Sequence, residues 1–524
     1  MENMDYIVGI DVGSSSVVMA VGVRGENNEI KVLGTKTVDV ADSMKDGNVV
    51  NYIELGKAID TAKQVLERKL SRRLNSAYVG ISGRSVYCVR YEDYVDISDK
   101  TGCVTENELR ELQSRIDMVV PGGGDEIISR IPLRYRVDDR PDVKNPLGAF
   151  GKKLHASYLF VMVGKQQIEL VNRAMHHADV KICGLCVTPT ILHPLLLNSA
   201  EMEEGAVIID MGSDLTDIAI VREGKLCYFS SLPIGASSIN RDLHDFLKIS
   251  KADIEKLKRR YGSAVADKVP EDTTIAVKTA SHSNKQISQR NIAEIIEERL
   301  KDITGFINRE LKGSKYQSKI TCGAILTGGA AYLSNMEELF ARELHMEVRL
   351  GSLFNNIDED SQQDMATYTE SAVASLLLYG AEHNACDTVP GVVHSEPKKE
   401  KESAPQGGMD IFSKPVEDEP KPTPVPPAPP VHTPEPAPIP EEQSIEKGST
   451  LDHEKLQSEE NAEGGQKEEK ADENDSGENG GEGGKDATKP SEPSSISRFM
   501  KKILNGVSNA KDAWSSMFDQ DPMI

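Results

Sequence analysis

Apolar residues along this chain fall into blocks of two different periods. Residues 6–23, YIVGIDVGSSSVVMAVGV, run apolar up to Asp11, break at Gly13-Ser14-Ser15-Ser16, and resume through Val17, Val18, Val21 and Val23. Such a pattern predicts a strand, a tight turn and a second, β-branched strand. Residues 206–221, AVIIDMGSDLTDIAIV, repeat the figure, with Asp210 for Asp11, Gly212 for Gly13, Ser213 for Ser14 and Ala219 for Ala20. A spacing of about 200 residues is too long for a stacked repeat and implies two similar halves. A third block, AILTGGAAYL at 324–333, predicts a short strand, a Gly328-Gly329 turn and a helix start.

Between these blocks the period lengthens to that of a helix. Helices are expected over 54–74, with Leu55, Ile59, Ala62, Val65, Leu66 and Leu70 on one face, and over 165–178, 251–261, 291–311, 335–345 and 369–382. Strands are expected at 29–40, 77–82, 159–163 and 180–187. This order makes an α/β layered fold. From 83 to 158 the pattern changes to strand-like RSVYCVRYEDYV, a helix over 105–118 with Thr105 as N-cap, strand-like EIISRIPLRYRVD and a Pro/Gly turn, a compact α+β insertion. Beyond Asp387 proline clusters give way to Glu, Lys, Gly and Asn in low complexity, a composition that cannot bury a core, so 387–493 reads as a disordered linker. Helical spacing returns over 494–518. Ile496, Phe499, Met500, Ile503, Leu504, Val507, Trp514, Met517 and Phe518 are apolar, and Arg498, Lys501 and Lys502 lie on the polar side or its flanks. A helix of that kind fits a membrane interface with anionic lipids; the competing reading is a helix docked on the protein's own body.

Charge changes the picture in one respect. The 524 residues carry a formal net charge of −23, of which about −15 lies between 387 and 493, so the folded body is only mildly acidic. Nucleic acid is not an expected partner. Of seven cysteines, Cys183 and Cys186 form a CxxC that reads as small core residues in a buried strand. Met1 leads almost directly into a strand and no apolar run reaches transmembrane length, so a cytosolic, reduced protein is expected.

The two Gly/Ser turns carry the candidate chemistry. Gly13 and Gly212 permit close backbone approach, and Ser14, Ser15, Ser16 and Ser213 offer N–H groups and hydroxyls to phosphate. Asp11 and Asp210, at strand ends, suit a Mg²⁺ ion held through water. Gly235, before a helix start, offers N–H groups to a further phosphate, although an ordinary helix cap reads the same way. An adenosine would lie against Gly328, Gly329 and Ala330.

The trio of blocks resembles the actin, Hsp70 and sugar-kinase ATPase fold. The words GIDVGSSSV, YVGISG, DMGSDLTDIAI, LPIGASSINRDL and LTGGAAYL, within 5–386, together with the terminal amphipathic helix, resemble the FtsA family of bacterial division proteins. The resemblance implies subdomain 1A at 5–82 and 159–195, an inserted 1C at 83–158, 2A at 196–249 and 312–386, and 2B at 250–311. It implies ATP and Mg²⁺ as cofactors, actin-like self-assembly, and tethering of FtsZ filaments to the cytoplasmic face of the inner membrane at the division site. Later divisome membrane proteins would meet 1C. The C-terminal tail of FtsZ would dock on 2B beside Arg299, Lys301 and Arg309, read as the outer face of the 291–311 helix. Two departures matter. The second turn lacks two glycines the family carries and has Asp214 in their place, so Asp214 either turns outward or weakens phosphate binding. Ser16 stands where Lys is common. Nucleotide binding with at most weak ATPase activity is therefore expected, Asp210 or Asp217 orienting water, with a structural Asp217 equally open. A catalytic ATPase or kinase of the same fold, or a PilM-like adaptor for a membrane protein's cytosolic peptide, are the alternatives.

Overall fold

The computed structural model of the chain describes residues 6–25, 29–278, 284–352, 356–364, 370–383 and 388–390. The linker beyond 390 and the amphipathic segment at 494–518, with all its apolar and basic positions, lie outside the described residues.

Three strands open the chain, β1 (Tyr6–Val12), β2 (Ser16–Arg24) and β3 (Ile30–Asp39). Helix α1 (Tyr52–Leu70) follows, then strand β4 (Ser76–Ile81). Asn51 starts α1 by accepting hydrogen bonds from the N–H groups of Ile53 and Glu54. The helix ends earlier than its apolar period suggested. Ser71 turns left-handed at φ 51°, and 72–74 forms a short strand with Leu74 fully buried. The Glu67 carboxylate accepts the Leu74 N–H at 2.7 Å and fixes this exit.

The insertion contributes β5 (Val86–Asp96), α2 (Glu106–Asp117), β6 (Asp125–Val137) and β7 (Lys153–Gly164). These strands make a separate antiparallel sheet in the order β5-β7-β6. Strand β7 runs unbroken through residue 158, so the inserted sheet and the strand expected at 159–163 are one piece of chain. Thr105 caps α2, its hydroxyl accepting the Asn107 N–H while Glu108 reaches back to the Thr105 N–H at 2.9 Å. These bonds from Thr105 hold the Glu108 carboxyl down at about 2. Helix α3 (Lys165–His177) and strand β8 (Lys181–Val187) close the first half. Cys186 is buried in β8 but Cys183 is exposed, because β8 is an edge strand; the CxxC is not a pair of core residues.

The second half contains β9 (Ala206–Met211), β10 (Thr216–Arg222) and β11 (Lys225–Leu232). Helices α4 (Ala236–Leu247) and α5 (Lys251–Tyr261), the hairpin β12 (Thr274–Lys278) with β13 (Asn284–Ser288), and the long α6 (Gln289–Gly313) come next. Strand β14 (Ala324–Thr327), helix α7 (Met336–Leu344), strand β15 (Val348–Leu350) and helix α8 (Ser371–His383) complete the described body.

The two main sheets have one topology. The first reads β3-β2-β1-β4-β8 and the second β11-β10-β9-β14-β15. In each, the first three strands are antiparallel neighbours and the last two join in parallel. Helix α8 covers β1, β2 and β4, while α1 packs with α3 and against β2 and β3. Strand alternation divides the second sheet. Val207 and Ile209 enter a core built with α4, α5, α6 and α7, whereas Ala206 and Ile208 join the core of the first half. The halves therefore share buried surface behind the cleft they form. Among the described residues no helix is long and apolar enough to cross a membrane.

Candidate functional site

Both Gly/Ser turns close in the same way. The Gly13 N–H donates to the Ser16 carbonyl at 3.0 Å, and the Gly212 N–H donates to the Leu215 carbonyl at 2.9 Å. Asp11 and Asp210 end the leading strands, and Asp217 pairs across β9–β10 with Asp210. Residues from both halves hold this floor together. Ser82, at the end of β4, donates to Asp217 Oδ2 at 2.7 Å. Thr188, just past β8, donates to Asp11 Oδ1 at 3.0 Å. Leu215, at the tip of the second turn, is buried near Gly47, where an added Cβ would lie 2.4 Å from its Cδ1.

Three carboxyls thus gather at the floor of the cleft, Asp217 buried and Asp11 and Asp210 half-buried. Burial raises Asp11 to about 6, against the Thr188 hydrogen bond and helped by the charge of Asp217. Burial, with Asp217 and Asp11 as neighbours, raises Asp210 to about 8. Burial raises Asp217 to about 6 although the Ser231 and Ser82 hydroxyls beside it oppose the rise. Carboxylates crowded in this way, with little access to water, require protons or a cation. Among the described residues no three such side chains are close enough to ligate one metal ion directly. The arrangement fits a divalent ion held through water with an anionic ligand on the glycine turns.

The remaining site residues fall into three groups. Gly328 stands directly against the floor at φ 88°, where an added Cβ would meet Asp210 Oδ1 at 2.3 Å, so only glycine fits there. Gly329 beside it is exposed, but the Ala330 methyl is buried in the second core and offers the cleft only its backbone. Gly235 has a role other than the expected one. The N–H groups after it, on Ala236 and Ser237, donate to the Gly212 and Ser213 carbonyls at 3.0 and 2.7 Å. The start of α4 braces the second turn from behind and leaves neither N–H for phosphate. The Ser213 hydroxyl donates to Asp214 at 3.3 Å, which engages the odd carboxylate of this turn locally. Ser14 and Ser16 are half-buried at the first turn, and Ser15 is exposed. Sequence reasoning missed Ser82 and Thr188. Ser82 lies inside the YVGISG word, but a lone serine after a strand carries no signal of the carboxylate it meets 135 residues later.

On α6 the expectation for Arg299 is overturned. Its guanidinium forks onto Asp242 of α4 at 2.5 and 2.9 Å and touches Asp302 at 3.3 Å, with the side chain only 12% exposed. Helical spacing pointed outward, but α4 packs over that face and turns Arg299 into a strut between two helices. Lys301 is tied to Glu298 at 2.8 Å and Glu297 at 3.1 Å. Arg309 is exposed, lying over the Phe306 ring at 5.5 Å.

Comparison with known proteins agrees with this architecture. The family model described as cell division protein FtsA matches residues 207–375, and that of the SHS2 domain inserted in FtsA matches 83–162. The chain is therefore similar to FtsA in both its body and its insert. Curated relatives include the cell division protein FtsA of Pseudomonas aeruginosa, 28% identical over 351 residues, covering 66% of this chain and 82% of the relative. The Bacillus subtilis cell division protein FtsA is 26% identical over 353 residues, covering 67% and 80%. Among solved structures, the PilM-PilN type IV pilus biogenesis complex superposes with a TM-score of 0.53 at 15% identity, covering 72% of this chain and 98% of that one. The fold is the actin-like ATPase fold with an inserted SHS2 domain, and the role of the chain lies in cell division.

Proposed function

We propose that the chain binds ATP with Mg²⁺ between its two halves, assembles with copies of itself in an actin-like manner, and tethers FtsZ filaments to the cytoplasmic face of the inner membrane at the division site. The observation that carries the nucleotide part is the pair of matching turns around three crowded carboxyls, half-buried Asp11 and Asp210 and buried Asp217. The hydroxyls of Ser14 to Ser16 would hold phosphate oxygens, Gly13 and Gly212, whose own N–H groups close the turns, would let the phosphates approach the backbone closely, and Gly328 and Gly329 would leave room for the adenosine. Mg²⁺ bound with the nucleotide supplies the charge that lets the three carboxylates ionise together. Ser82 and Thr188 keep two of them aimed, and the N–H groups of Ala236 and Ser237 keep the second turn in place. Because residues from both halves bear on this floor, a ligand seated there favours one mutual position of the halves and so one assembly surface.

The tether rests on the amphipathic spacing at 494–518, its reach on the linker before it, and its strength on many copies in one filament. Docking of the FtsZ tail on the 250–311 region uses exposed Arg309 rather than Arg299. The insert at 83–158 meets later divisome proteins. Calorimetric titration of the full chain tests the nucleotide site. ATP binds in the presence of Mg²⁺, and chelation of the ion or Asp11→Ala weakens it at least tenfold, about 1.4 kcal/mol. Equal affinity for ATP with and without Mg²⁺ in both proteins would sink this assignment.

A further inference from the structure

The inserted sheet has a face that the nucleotide cleft does not use. Helix α2 covers the side carrying Val95, Leu154, Tyr158 and Val137. Alternation sends Arg134 and Arg136 of β6 to the other side. They head two cross-strand rows, Arg136–His155–Tyr94 and Arg134–Ser157–Glu92. In an isolated two-layer unit that face would meet only water. Here it meets Lys315, Tyr316 and Lys319, in the chain leaving α6, across a cavity of about 290 Å³.

The charge of this cavity is opposite to that of the protein. Arg90, Arg134, Arg136, Lys315 and Lys319 line it against only Glu92 and Asp142, five cations to two carboxylates in a chain of net charge −23. Its groups are partly fixed in advance. Arg90 donates to the Tyr316 hydroxyl at 2.6 Å, and Tyr316 is itself buried. Arg134 is oriented by Asp142 at 3.0 Å. Arg136 and Lys315, one on each wall, have no ion-pair partner among the described residues. Like charges brought together across a narrow cleft repel, and near a protein surface that repulsion is only partly screened. An anion carrying several negative charges removes that repulsion. Guanidinium forks match phosphate oxygens two at a time, and an anion of several phosphates can engage forks on both walls at once. The volume is near the lower end of small-molecule sites.

We propose that this cleft binds a small soluble anion bearing two or three phosphate groups, at a site separate from the nucleotide cleft. Bound there, the anion clamps the inserted sheet to the second half, so its occupancy biases how the insert is presented to partners. The test is titration of the full chain with inorganic tripolyphosphate in saturating Mg·ADP, for the natural protein, Arg136→Gln and Arg136→Glu/Lys315→Glu. Tripolyphosphate should bind the natural protein despite the Mg·ADP, several-fold more weakly Arg136→Gln, and at least tenfold more weakly the double variant, with Mg·ADP binding itself unchanged throughout. Thermal melts confirm that each variant is folded, and the single neutral variant decides the matter if the double one is not. Equal binding by natural protein and Arg136→Gln overturns the proposal, as does displacement by Mg·ADP. Capture of a polyglutamate peptide without any binding of tripolyphosphate also overturns it, making the cleft a peptide surface.

Discussion

Single residues carry the opposing demands of this site. Asp210 is raised from 3.8 to about 8 by burial and two acidic neighbours, so the folded, ligand-free protein holds this proton more tightly than the unfolded chain. The resulting stability is complete below pH 3.8 and lost as pH rises through about 8. Asp210→Asn removes the ionisation. At pH 8 without nucleotide it should melt higher than the natural protein, by an equivalent of about 1 kcal/mol or more, yet bind Mg·ATP at least tenfold more weakly. A lower melting temperature in thermal denaturation would show that Asp210 is not electrostatically strained. Arg299 behaves oppositely. Its loss leaves Asp242 half-buried without its partner, so Arg299→Ala should destabilise by about 2–3 kcal/mol in denaturant unfolding. Arg309→Glu, at an exposed site, should change stability by less than about 0.5 kcal/mol while weakening FtsZ docking. A stable Arg299→Ala that alone loses FtsZ would reverse this assignment.

At the level of elements, the site depends on how α4 meets the second turn. An added Cβ at Gly235 would lie 2.5 Å from the Ser213 carbonyl and 2.7 Å from that of Gly212. Gly235→Ala must therefore move the turn or the helix, and should weaken nucleotide binding at least tenfold while most of the fold persists, a combination readable from calorimetry beside circular dichroism. Thr105→Ala removes the α2 cap and should cost the insert about 1 kcal/mol, with no effect on nucleotide binding. These cases also mark what the sequence made legible. The repeated Asp-x-Gly-Ser figure revealed both turns and the two halves, because period and turn chemistry are local. Thr105 was readable for the same reason. The Arg299 strut, the bracing by Ala236 and Ser237, and the Ser82–Asp217 bond were not, since each depends on which distant element packs alongside. The end of α1 at Ser71 was missed because apolar spacing runs on through Leu74, while the actual stop is a left-handed residue and a Glu67 side-chain bond.

At the scale of the whole molecule, two sheets of one topology share a core behind a cleft, and a third sheet is inserted between β4 and α3. This body is similar to that of cell division proteins. The mechanical role proposed for it joins three parts: a nucleotide-dependent body, a surface for FtsZ, and a helix at 494–518 that enters the membrane interface. The linker separates the last from the first two, so the tether can be removed without touching the body. Liposome flotation of the full chain and of a truncation ending at Pro493, each with and without FtsZ, tests that role most directly. The account predicts that only the full chain floats and that it carries FtsZ upward with it. If both proteins remain at the bottom of the gradient, or if the truncation floats as well as the full chain, the chain is not a membrane tether of the kind proposed.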